Sequence, residues 1–125
     1  MKDNNEYYNA KIQKILNKLI SEEWLAGNMY SFYMQTVDSE ERSLVFDMFG
    51  TLSDDEIDDH YKSLVDWALL YGYDVPCTIR DIERYASKNA VRLFNSFTKN
   101  KDAMYYVKKS IEAEKDAIMS YQEAL

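Results

Sequence analysis

The only proline of this chain is Pro76, and ahead of it the apolar residues keep a helical rhythm. From Tyr7 to about Val37 they fall at Tyr8, Ile12, Ile15, Leu16, Leu19, Ala26, Tyr30, Tyr33 and Val37. That three-and-four spacing puts them on one face of a helix. A β-rich domain needs turn residues every few positions, and 3 glycines with 1 proline in 125 residues are too few. The expected fold is therefore an all-α, antiparallel helical bundle, one domain over residues 1–125 with few connections.

Three long helices are predicted. The first covers about residues 7–37. Asp38 and Ser39 read as a break and an N-cap for the second, over about 39–71, with Val45, Phe49, Leu52, Leu64, Trp67 and Leu70 or Tyr71 turned inward. Gly72 and Pro76 end it. Residues 78–98 carry two short helical stretches, TIRDIERYAS and NAVRLFNSF, as a connector. TKNKD then turns the chain into a third long helix, about 101–125, whose stripe is Ala103, Val107, Ile111, Ala117, Ile118 and Tyr121. No fourth long helix is expected.

A net charge of −7 argues against nucleic acid as a partner, because binding to phosphates needs clustered Lys and Arg. No apolar run approaches the ~20 residues that span a bilayer, so no membrane association is expected. The single Cys77 has no internal disulfide partner and reads as a free thiol; with no apolar leader, the cytoplasm is the expected location.

Each long helix also places one glutamate on its apolar stripe. Glu23 lies between Leu19 and Ala26; Glu56 follows Phe49 by seven; Glu114 sits midway between Val107 and Tyr121. Burying ionised carboxylates without partners costs several kcal/mol, and the stripes offer almost no Lys or Arg. A hard multivalent cation turns three converging carboxylates into a site. The only histidine, His60, lies one turn beyond Glu56, and Asp59 lies three residues beyond it, within the acidic run DDEIDDH. Either Asp59 takes the ligand role, or the helix rotates or bulges to bring His60 in. The first and third helices share a further template, E-x-x-A-x-x-x-Y, as Glu23-Ala26-Tyr30 and Glu114-Ala117-Tyr121. The two tyrosines are expected either as core residues with satisfied hydroxyls or as hydrogen-bond donors to metal-bound glutamates.

These residues resemble the ferritin-like superfamily, and within it the ferritin, bacterioferritin and rubrerythrin-like di-iron carboxylate bundles. Those proteins carry one Glu on each of two helices and Glu-x-x-His on each of the other two. The resemblance spans about residues 8–76 and 101–125. Glu23 with Tyr30 looks like the first-helix glutamate and its tyrosine, Glu56 like the bridging glutamate, and Glu114 with Tyr121 like the third-helix glutamate. The resemblance implies metal ligands Glu23, Glu56, Glu114 and Asp59 or His60, with Tyr30 and Tyr121 behind them. It implies non-haem iron, as a di-iron centre that is incomplete without the second Glu-x-x-His, with Mn or Zn as alternatives. It also implies ferroxidase-type oxidation of Fe(II), a role in iron handling or oxidative-stress protection, and a homo-oligomer that supplies the missing helical surface. Ile57 stands where bacterioferritin has its haem-ligating methionine, so no haem is expected. The competing expectation is a non-catalytic helical scaffold descended from such a bundle, its metal site incomplete.

Overall fold

The computed structural model describes residues 4–124. Helix α1 (Asn4–Thr36) is the central element. It is followed by α2 (Arg42–Asp54), a π-helical turn (Asp55–Tyr61) and α3 (Lys62–Leu70), which together form one continuous rod. Two short helices, α4 (Ile79–Tyr85) and α5 (Lys88–Asn95), lie across α1, and α6 (Ala103–Ala124) returns along it. The described residues are all helix and connection, without a strand. No helix among them is long and apolar enough to cross a membrane.

Hydrogen bonds fix the directions. Ser53 Oγ donates to the Gly27 carbonyl (2.8 Å) and Gln13 pairs with the Asp74 backbone, so the α2–α3 rod runs antiparallel to α1. Tyr30 reaches Glu114 and Lys18 reaches Glu123, so α6 is antiparallel to α1 as well. The rod and α6 therefore run the same way, on separate flanks of α1. They meet at their starts, where the Glu41 carboxylate accepts the Ala103 N–H at 2.6 Å. The same end is closed by backbone bonds from Asp38 N to Lys101 O and from Asn100 N to Thr36 O.

The main core lies at that end. Met29, Tyr30, Tyr33 and Val37 pack against Val45, Phe49, Leu93, Ala103 and Tyr106. Tyr33 and Tyr106 stack with centroids 4.6 Å apart. Each fully buried large side chain contributes roughly 2 kcal/mol of transfer free energy. A second cluster, Leu16, Ile20 and Ala68, holds α3 to α1; a third, Leu25, Ile82 and Ala86, holds the short helices. Thr78 and Ser87 cap α4 and α5 by accepting the N–H groups of Asp81 and Ala90.

Three expectations need correction. Ser39 does not start the second helix: residues 38–41 form a turn, and Glu41, at the N-cap position, caps α6 instead of its own helix. Trp67, Leu70 and Tyr71 are exposed rather than inward. Leu64 packs against the α1–α3 cluster as expected, but the π-helical turn holds an extra residue, so the inward face beyond it is shared with Val65 and centred on Ala68 instead of Trp67. In α6, Ala103 is buried as expected, but Ile111, Ile118 and Tyr121 are exposed, and Tyr106, Ser110 and Ser120 are buried in their place. Ser110 is small and satisfies its hydroxyl on the Tyr106 carbonyl (2.8 Å), so a polar residue serves as core.

Candidate metal centre

Glu23 comes from the middle of α1, and Glu56 and His60 come from the π-helical turn opposite. The close approach of the two elements depends on Gly27, one turn beyond Glu23. A Cβ at residue 27 would stand within 2.5 Å of both Ile57 Cγ1 and Cδ1 and 3.2 Å from Glu56 Cβ. The missing side chain lets the turn settle against α1 and brings Glu56 beside Glu23.

The wider π turn also settles the spacing of the ring. His60 Nδ1 lies 3.3 Å from Glu56 Oε2 and 3.4 Å from Glu23 Oε2. Ligand atoms of Glu23, Glu56 and His60 all fall within 4.8 Å of one another. Glu23 and Glu56 are 4% and 7% exposed, whereas the His60 side chain is 49% exposed and forms the solvent side of the cluster. Asp59 points into solvent, with Asp54, Asp55 and Asp58. It is not brought to the cluster.

Burial pushes the Glu23 carboxyl above the ordinary carboxylate range, and the Tyr121 hydroxyl and His60 pull it part of the way back. Its Oε1 accepts from Tyr121 at 2.7 Å, but its Oε2 is buried and accepts no hydrogen bond. A buried carboxylate oxygen with an open lone pair, next to a second carboxylate and an imidazole, is a donor set that fits Fe, Mn or Zn. Replacing Glu23 with Gln keeps an acceptor for Tyr121 and removes the buried charge. The metal-free Glu23→Gln protein is expected to be more stable than wild type by roughly 1–2 kcal/mol in urea denaturation, the scale on which buried charges act. A loss of stability would show that Glu23 is already compensated within the chain.

Glu114 stands outside this cluster. Its Oε1 accepts from the Tyr30 hydroxyl at 2.5 Å. The repeated template thus works across the helix pair: Tyr30 of α1 serves Glu114 of α6, and Tyr121 of α6 serves Glu23 of α1. Two templates with Glu and Tyr seven residues apart, on antiparallel helices, exchange partners in this way once the helices are in register. Burial first, and then the carboxylate each one serves, push both tyrosine hydroxyls well above their usual range, so they remain donors. Ala26 and Ala117 leave space behind the pair, and an apolar pocket there, about 500 Å³ including its open mouth, reaches back to Glu23 and Glu56.

Sequence reasoning left Gly27 unnamed and gave a bulge before His60 only as the alternative to Asp59 as ligand. Gly27 is marked only by being a glycine inside a strong helical pattern. The π turn is marked only by the offset between Glu56 and His60. Compared with models of protein families, with curated proteins and with solved structures, the chain matches none.

Proposed function

We propose that this chain is a ferritin-like metal-binding protein, holding non-haem iron or manganese through Glu23, Glu56 and His60. One observation carries the reading: three donor groups from two helices converge at a buried carboxylate oxygen that accepts no hydrogen bond. The chain's own residues have separate tasks. Glu23 and Glu56 supply charge, and the Tyr121 hydroxyl fixes the Glu23 carboxylate through its other oxygen. His60 is half exposed, and the exposed Asp55, Asp58 and Asp59 of the same turn give that surface a negative charge that attracts cations. Iron held there supplies one-electron chemistry toward dioxygen, the ferroxidase-type activity proposed for the chain.

The test compares two neighbours. Wild-type protein loaded with Fe(II) or Mn(II) and desalted should retain metal by elemental analysis. His60→Ala should lower affinity by about 10- to 100-fold, while Asp59→Asn should leave it near wild type. Equal losses in both variants, or no retention by wild type, would refute the assignment. A second reading is favoured by the crossed tyrosines: they satisfy Glu23 and Glu114 in part without an ion, as a non-catalytic scaffold requires. That reading predicts no retained metal and no Fe(II) oxidation above buffer.

A further inference from the structure

The pocket between α1, α5 and α6 has walls of one polarity and charges of one sign. Leu25 and Met29 of α1 face Leu93 and Phe94 of α5 across it, and Ala113 and Ala117 of α6 leave the space open. Every charged side chain on its lining is acidic. Glu22, Glu23, Glu56, Glu114 and Asp116 contribute, and among the described residues no Lys, Arg or His lines it.

Four of these carboxylates have one partner each. Glu22 accepts the Ser87 N–H, Glu23 accepts from Tyr121, Glu114 accepts from Tyr30, and Glu56 faces His60. Two oxygens remain open: Glu23 Oε2 and Asp116 Oδ2 are buried and accept no hydrogen bond. Glu23 is itself 4% exposed, and Asp116 lies outside the metal cluster. Buried carboxylate oxygens without donors are costly, and five acids without a base repel one another.

The lining therefore selects the chemistry of an occupant. An anion would add to the repulsion, and a neutral apolar molecule would leave both oxygens without a donor. A hydrated metal ion would exchange its water for hydrocarbon on the Leu25, Met29, Leu93 and Phe94 side. An ammonium group on an apolar chain meets both demands, since it brings three N–H donors and buries its methylenes. The shape narrows the class further. An apolar cavity of about 150 Å³ holds benzene. The room for water-sized groups here is about 30 Å³, which admits a slim head and excludes a ring.

We propose that this pocket binds a primary alkylammonium ion, its N–H groups donated to the open carboxylate oxygens and its chain laid along Leu25, Met29, Leu93 and Phe94. The site shares Glu23 and Glu56 with the metal reading but does not rest on it, because the charge of the lining and Asp116 are independent of His60.

Titration calorimetry on the whole, chelator-treated chain with methyl- to hexylammonium tests it. Affinity should rise roughly two- to fourfold per added methylene, and hexanol and hexanoate should not bind at the same concentrations. Asp116→Asn should weaken hexylammonium by roughly tenfold, and Ala113→Leu, which fills the space, should abolish binding; helical circular dichroism should be unchanged in both. His60→Ala should leave amine binding in place. Hexanol binding as well as hexylammonium, an affinity independent of chain length, or full binding by Ala113→Leu overturns the proposal. A wild type that retains metal but binds no amine overturns this site alone. One that binds amine and retains no metal supports it and sinks the metal reading.

Discussion

The Glu56→Ala protein is expected to retain no metal after desalting, and its melting temperature should no longer respond to added Fe(II) or Mn(II). Glu56 supplies one of the two buried carboxylates of the cluster, with His60 Nδ1 3.3 Å from its Oε2. A ligand present at a hundred times its Kd stabilises the folded state by about 2.7 kcal/mol. For a domain of this size that is a rise of roughly 10 °C in Tm, which wild type should show and the variant should lack. The metal-free variant should fold, since the truncation also removes one of two adjacent buried carboxylates. A variant that melts like wild type with and without metal, while wild type itself shows no rise, would leave the scaffold reading standing.

The second large effect is predicted at a residue with no chemistry of its own. By helix propensity alone, Gly27→Ala should stabilise α1 by about 1 kcal/mol. The structure reverses the sign. The added methyl would overlap Ile57 Cγ1 and Cδ1, and Glu56 Cβ stands close behind. Ile57 is β-branched and stiff at χ1, so it cannot swing clear cheaply. The expected cost is about 1–3 kcal/mol in chemical denaturation, together with loss of metal affinity as the π turn is pushed off α1. Gly27→Ala combined with Ile57→Ala should recover most of both. A stabilised single variant would mean that the two elements are not in close contact.

The helices were legible in the chain because apolar spacing and scarce turn residues leave few alternatives. What was not legible follows from two local causes. An α-helical period carried through the π turn still places Glu56 and Leu64 inward but misassigns the last positions, and so Trp67 was expected where Ala68 lies. Nothing in the apolar pattern marks that slip. The only trace is polar, in the distance from Glu56 to His60. The buried face of α6 was read only in part for another reason: Ser110 and Ser120 fill positions on it, and small hydroxyl residues carry no hydropathy signal. The Glu–Ala–Tyr template was visible as a repeat, yet its crossed pairing depends on the register of two helices distant in sequence.

The Glu41 cap on α6 gives the molecule an unequal mechanical layout. At that end α6 is fastened by the Glu41 carboxylate, by the Tyr33–Tyr106 stack and by backbone bonds between the neighbouring turns. At the far end the contacts are fewer: the Tyr121 hydroxyl on Glu23 and an exposed Lys18–Glu123 ion pair. Exposed ion pairs hold little, so local opening costs least at the C-terminal turns. α6 then behaves as a lever clamped at one end, and once the Lys18–Glu123 pair has opened, the next bond released as it lifts is the one that orients Glu23.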